Sequence, residues 1–412
     1  MTDSNIRILL LSALRGEFEQ TSTEPSALLS TDEWRKLLDL ARLQGITPLL
    51  YQKLKMLQDA DIPPETIQEL RDYYLTNLVR NMQLFHQLKG ILKRFHEDNI
   101  PVIPLKGSYL AERVYGNIGV RPMSDIDILV KQEDLSHVEE ILTGSGFIQE
   151  RGRRAIYDVG YTRTQNKLLM YIEVHWDISQ PLEKLPFGID KVWDQSRPSE
   201  ISGIPVRELS PEDLLLHLAV HGSKHVFCNG LRMVFDIAET VKHFENKVDW
   251  QHLQQTAQRW GATKSLYVGL RLAAELFYAP VPDSFMDVIK PMNVEPSYHA
   301  LLHDLLFSEN ESESQTESIA PVIANIWTTK DISGKVKQLC KRLFLSRQEM
   351  ALIYGVSPDS LRILLYYPAQ LKYLLNTHGR TVWRLVRKDE LMEAGAERQS
   401  EVNELRKWLL SG

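Results

Sequence analysis

The chain has 412 residues, 43% hydrophobic and 25% charged, with a formal net charge of −6, a composition typical of globular proteins with room for roughly two to four domains. The acidic balance excludes a general attraction to nucleic acid or to anionic membrane, so any polyanion has to be met by a local basic patch. Two distant cysteines, Cys228 and Cys340, exclude a disulfide framework and a cysteine zinc cluster, and fit a reducing cytoplasm.

The opening MTDSNIRILLLSALRG carries an acid before its first base and lacks a signal peptide's basic n-region and cleavage site. No apolar run approaches the roughly 20 residues that cross a bilayer. The expectation is a soluble, cytoplasmic protein with no membrane partner.

Residues 1–98 read as an N-terminal helical region. Thr31-Asp32-Glu33 before Trp34, Leu37 and Leu38 is a capped helix start, and Pro63-Pro64 breaks the chain. A long amphipathic helix follows over about 66–99, its apolar stripe running Leu70, Tyr74, Leu78, Met82, Phe85, Leu88, Ile91, Leu92, Phe95.

The period then changes. Residues 99–207 form a mixed core: strands at 102–105 and 124–130, a short helix over 108–115 between them, and a helix over 134–142 ended by Gly144-Ser145-Gly146. Two more strands are expected at 155–162 and 167–178, turning at 163–166, and then a loop over 179–209. From Ser210-Pro211-Glu212-Asp213, a Ser cap with Pro and acids in the first turn, the pattern is helical again. Helices are expected to about 225 and over 231–246, 250–258 and 264–277, within a helical domain at 208–330. Residues 308–318 read as a polar, acidic loop. A C-terminal helical region, 331–412, ends in a helix over 389–410. The expected fold class is α+β, a small mixed sheet with helical segments on both sides.

Three features of the mixed region carry chemistry. Gly107-Ser108 stands at a strand-to-helix turn, where backbone N–H groups and a helix dipole suit a phosphate. Asp125 and Asp127 share one face of a strand whose other face is Ile126, Ile128 and Val130. Two such carboxylates repel, and desolvation sharpens the repulsion, which a cation between them relieves. Glu173 alternates with Ile172 and Val174 on a later strand and supplies a third acid if the two strands are neighbours. Each feature alone is more often a turn or a solvated edge; the conjunction points to a site for hard divalent cations and phosphates. Lys106 and Arg121 flank the turn and are candidates to neutralise a triphosphate.

Taken together, Leu105-Lys106-Gly107, Arg121 with Ser124-Asp125-Ile126-Asp127-Ile128-Leu129-Val130, and Glu173-Val174-His175-Trp176 resemble the nucleotidyltransferase superfamily of the DNA polymerase β type. More narrowly they resemble a bacterial group of uncharacterised nucleotidyltransferases. That likeness continues through Leu214-Leu215-Leu216-His217, His221, Lys224-His225, Leu231-Arg232 and Asp236-Ile237. The resemblance implies that Asp125, Asp127 and Glu173 are catalytic metal ligands for Mg²⁺ or Mn²⁺, as two ions. It implies nucleotide binding by Lys106, Gly107, Ser108, Arg121, Lys224 and Arg232, with His175, His217, His221 and Asp236 lining the cleft. It further implies transfer of a nucleoside monophosphate from an NTP, such as ATP, to an acceptor hydroxyl with release of pyrophosphate. One difference from the superfamily pattern is an extra loop, 116–122, between the Gly-Ser turn and the Asp pair. The i, i+4, i+8 stripe of His217, His221 and His225 reads as a cleft wall in preference to a zinc site. Arg232 and Asp236 are spaced for a helix ion pair. A nucleotide-binding regulatory protein that does no transfer, and a toxin–antitoxin or defence component, stay open as other classes.

Overall fold

A computed structural model describes residues 3–17, 29–56, 62–150, 157–165, 168–178, 188–228, 230–292, 295–307 and 390–411, with isolated positions at 360, 363 and 366–368. The expected loop at 308–318 and most of the helical region expected beyond 331 lie outside the described residues. The chain divides into two units, one of residues 1–150, 154–309 and 408–412, the other of 151–153 and 310–407. Among the described residues, the helices and strands up to Leu306 belong to the first unit, and the C-terminal helix Glu390–Leu410 runs through both.

Four helices come first: α1 (Asp3–Arg15), α2 (Thr31–Leu43), α3 (Thr47–Lys55) and α4 (Pro64–Glu97). The start of α2 is a reciprocal cap one residue earlier than its acids suggest: Ser30 accepts from Glu33 N–H, and the Glu33 side chain accepts from Ser30 N–H. The α4 stripe is buried at Leu70, Phe85, Leu88, Ile91, Leu92 and Phe95, but Met82 is 56% exposed, a departure from the expected face. Over its middle turns α4 instead spends polar side chains on the loop 116–122. Asn77 Nδ2 donates to Gly119 O (2.7 Å), and Asn81 Nδ2 donates to Arg121 O (2.9 Å) and to Ile118 O.

The sheet elements are β1 (Val102–Leu105), β2 (Ile126–Val130), β3 (Ile148–Gln149), β4 (Asp158–Gln165) and β5 (Leu168–His175), in spatial order β1-β2-β5-β4-β3. The β2–β5 pair is parallel and the others antiparallel. Between β1 and β2 come α5 (Lys106–Tyr109) and one turn of π-helix, Leu110–Val114; α6 (Leu135–Gly144) follows β2. Strand β2 starts at Ile126, so Asp125 lies just ahead of it and not within it as expected. Strand β4 runs through Gln165, beyond the expected turn at residue 163. Ile126, Ile128, Ile172 and Val174 are at most 1% exposed and form the apolar face that fixes the register of the two central strands.

The expected loop over 179–209 contains structure: α7 (Ile189–Gln195) and a hairpin of β6 (Arg197–Ile201) with β7 (Ile204–Glu208). Its two-residue turn, Ser202-Gly203, has both φ angles positive, +52° and +74°, which suits the twist of a tight hairpin. The hairpin packs on β1 and α4.

The helices α8 (Pro211–Lys224), α9 (Leu231–His243), α10 (Trp250–Arg259), α11 (Thr263–Phe277), α12 (Asp283–Ile289) and α13 (Pro296–Leu306) complete this unit. Ser210 caps α8 as expected, accepting from Asp213 N–H at 3.1 Å. α8, α9 and α11 pack on one another, and α9 also packs on the π-helical turn. The fold class is α+β: a mixed sheet with helices before and after it. Among the described residues, no helix is long and apolar enough to cross a membrane.

Candidate active site

The parallel pairing of β2 with β5 sets Asp127 directly beside Glu173 in register. Both side chains leave the face opposite to the Ile126–Ile172 and Ile128–Val174 pairs, because strand residues alternate. His175, two residues on, shares the face of Glu173. Its Nε2 lies 3.1 Å from Asp127 Oδ1 and 3.4 Å from Glu173 Oε2. Ligand atoms of Asp127, Glu173 and His175 lie within 4.8 Å of one another, close enough to share one ion.

Asp127 is 2% exposed, and a buried carboxylate needs a partner. Lys106 supplies it: Nζ donates to Asp127 Oδ1 at 2.7 Å. Burial alone would push the Asp127 carboxyl up, but the Lys106 ammonium and the His175 hydrogen bond outweigh it and hold it well below the usual carboxylate range. Burial likewise works against the charged forms of Lys106 and His175. The contacts with Asp127 reverse that effect, and both end above their ordinary values. Asp125 shows the opposite balance: burial and then the neighbouring Asp127 charge push its carboxyl up. This is the repulsion that the sequence pattern foreshadows, with Asp125 on the loop ahead of the strand.

Lys106 reaches Asp127 from a backbone φ of +43°. A non-glycine residue there costs about 1–3 kcal/mol and persists where its surroundings over-determine it. Here the 2.7 Å ion pair is such a constraint. Next to it, a Cβ on Gly107 would stand 2.6 Å from Arg121 Nη1 and 3.0 Å from Met123 Cγ. Glycine at 107 therefore lets the arginine lie across the turn. Ser108 is fully buried, its hydroxyl donating to Leu105 O at 3.2 Å.

Arg121 is itself committed. Its Nε and Nη2 donate to the two oxygens of Asp236 at 2.9 and 2.7 Å, and Tyr115 Oη donates to Asp236 Oδ1 at 2.8 Å. Burial and then Asp236 push the Tyr115 phenol well above its ordinary value, so it remains a donor. The carboxylate that sequence spacing pairs with Arg232 is thus engaged by Arg121. Arg232 Nη1 donates instead to Pro122 O at 3.2 Å, holding the same loop from the other side.

Helix α8 brings His217, His221 and Lys224 to a small cleft that Lys106, His175, Tyr157 and Asp177 also line. Both ring nitrogens of His217 are buried without a hydrogen-bond partner. Burial and then Lys106 press His217 and His221 well below the ordinary histidine range, so both are neutral. The same two causes bring Lys224 down to about 8. His225 stacks edge-on with His221, centroids 5.0 Å apart. Among the described residues, the clusters able to hold a metal do not include this stripe.

Sequence reasoning missed Asp158 at the start of β4, which pairs in register with His175. Burial pushes its carboxyl up, with His175 and Glu173 acting on it next in opposite directions. Asp158 as the one acid within the strand expected at 155–162 was the available signal.

The model of a family described as uncharacterised nucleotidyltransferase matches residues 30–278, more than half of the chain. No curated protein matches. Among solved structures, the antibiotic-resistance factor ANT(2'')-Ia is similar at 17% identity and a TM-score of 0.32, over 46% of this chain and 96% of its own. An antigenic nucleotidyltransferase-like protein from Paracoccidioides brasiliensis is similar at 14% identity and a TM-score of 0.31, over 50% and 94%.

Proposed function

Since the chain belongs to the uncharacterised nucleotidyltransferase family, we propose that Asp125, Asp127 and Glu173 form a metal-dependent active site. That site transfers a nucleoside monophosphate from an NTP, such as ATP, to an acceptor hydroxyl. The observation that carries this reading is the register pairing of Asp127 with Glu173 beside the Lys106 ammonium.

The donor set fits hard divalent ions. It is rich in carboxylate oxygens, one of them already against a cation, and a second acid, Asp125, has its charged form disfavoured by burial and then by the charge of the first. Mg²⁺ or Mn²⁺, as two ions held by Asp125, Asp127 and Glu173, would supply charge neutralisation to the attacking and leaving oxygens of an in-line displacement. The protein's own residues do the rest. Lys106 and Lys224, which both line the cleft, offer cations to the phosphates, and the Gly107-Ser108 turn offers backbone N–H groups. Arg121, anchored on Asp236, and Arg232, anchored on Pro122 O, position the loop that overlies this turn. The acceptor oxygen bonds to the α-phosphorus as the bond to the bridging oxygen breaks and pyrophosphate leaves, and Glu173 takes the hydroxyl proton. His175 keeps Asp127 and Glu173 together, and neutral His217 and His221 line the cleft for a polar acceptor or base. In this reading residues 99–207 are the catalytic core, and α8, from the helical segment that begins at 208, closes the cleft.

The test compares NTPs labelled at the α- and γ-phosphates, incubated with the protein, Mg²⁺ or Mn²⁺ and a cell lysate. Nucleotidyl transfer moves the α-label onto the acceptor and releases γ-label as pyrophosphate. Transfer of γ-label to the acceptor would contradict the reading. The contact of Lys106 with Asp127 also supports a second reading, a nucleotide-binding protein that does no transfer. Calorimetric nucleotide binding without pyrophosphate release is its signature.

A further inference from the structure

A second cluster of metal-ligating side chains lies outside the cleft. Helix α13 carries His299 and His303, spaced i, i+4 and therefore on one face, and α11 carries Glu275 across from them. His299 Nε2 lies 3.2 Å from Glu275 Oε2, and His303 Nε2 lies 3.2 Å from Glu275 Oε1. The two imidazole rings are 4.6 Å apart, centroid to centroid. One ligand atom from each of the three residues falls within 4.8 Å of the others. Ligand atoms about 2.0–2.1 Å from one tetrahedral ion are about 3.3 Å apart, so small side-chain adjustments suffice.

A hydrogen-bonded His–Glu–His cluster explains only part of this. His303 Nε2 is buried, yet it has no hydrogen-bond partner: its contact with Glu275 is short but wrongly oriented for one. A nitrogen hidden from water, without a well-directed hydrogen bond and beside a carboxylate, is an arrangement that an ion completes. Arg271 is the opposing charge. Its Nε is 3.9 Å from Glu275 Oε2, while its Nη1 donates to Tyr267 Oη at 3.0 Å, which holds the guanidinium on its own helix.

We propose that Glu275, His299 and His303 bind one transition-metal ion of the Zn²⁺ class, with water as fourth ligand, clasping α13 to α11. Two imidazoles and one carboxylate select borderline ions such as Zn²⁺, Co²⁺ or Ni²⁺ over Mg²⁺. Both histidines lie beyond residue 278, where the family match ends, and the cluster shares no residue with the proposed transfer site.

The test titrates the chelator-treated full chain with Co²⁺ and follows visible absorption, using Asp127→Asn to silence the other cluster. The expected result is one equivalent bound in the Asp127→Asn protein, displaced by one equivalent of Zn²⁺ and not by millimolar Mg²⁺. His303→Gln and His299→Ala in that background should each weaken binding about 100-fold or more, with unchanged circular dichroism. Equal Co²⁺ affinity with and without the two histidines would overturn the proposal. Should the histidine variants fail to fold, the melting temperature of the Asp127→Asn protein decides: Zn²⁺ should raise it, and no rise would overturn the clasp.

Discussion

Asp127 and Glu173 stand side by side on adjacent parallel strands, and the Asp127 carboxylate is held by the Lys106 ammonium at 2.7 Å. Three charges from three separate elements therefore meet where the backbone has already fixed their spacing. Lys106 and His175 offset the burial of Asp127, which keeps its carboxyl well below the usual range.

Lys106→Met removes that offset. In chelator the variant should melt lower than the wild type, by about 3–5 kcal/mol of lost stability if the carboxylate stays charged. Mg²⁺ should restore more stability to the variant than it adds to the wild type, because an ion that binds only the folded state stabilises it. Differential scanning calorimetry with and without Mg²⁺ measures both.

Asp236→Ala strands the buried Arg121 guanidinium and frees the loop 116–122. Leaving a buried charge without its partner costs about 3–5 kcal/mol. Urea unfolding should show that loss in the midpoint with the slope unchanged, and turnover should fall with the displaced Gly107 turn.

Asp213, 1% exposed at the start of α8, has its carboxyl pushed up to about 6 by burial, against the lowering effect of the Ser210 hydrogen bond. The folded state thus binds more protons than the unfolded state between about pH 4 and pH 6. Stability should fall as pH rises through that window and stay lower above it. Asp213→Asn removes this slope and should gain about 2 kcal/mol at pH 7, measured by denaturation at a series of pH values.

Lys224 titrates near 8 because burial and the nearby Lys106 disfavour its charge. Its ammonium is present below that pH and lost above it, so affinity for an anionic nucleotide should weaken as pH rises through about 8. A charge-assisted contact accounts for about tenfold. Lys224→Met should bind more weakly at pH 7 and lack that limb in a calorimetric pH series.

The parts of the fold with local causes were legible in the sequence. The apolar alternation of Ile126, Ile128 and Val130 and of Ile172 and Val174 announces two central strands, and Ser210-Pro211 announces α8. The hairpin at 197–208 escaped because Pro198 and Pro205 read as breakers, while the Ser202-Gly203 turn that makes it possible is only two residues long. The three acids were visible as residue types, but their meeting depends on the parallel register of β2 and β5, which no local pattern encodes. Arg121 with Asp236, 115 residues apart in the chain, was hidden for the same reason. A guanidinium beside a glycine turn suggests a phosphate until the folded chain supplies the carboxylate.

The most direct measurement pairs Mn²⁺ binding with turnover in Asp127→Asn. Electron paramagnetic resonance counts bound Mn²⁺ while pyrophosphate release is followed with a γ-labelled NTP. The account predicts that the variant folds as the wild type does, loses Mn²⁺ at the cleft and loses roughly 100-fold or more of its turnover. Full Mn²⁺-dependent turnover by Asp127→Asn would contradict it.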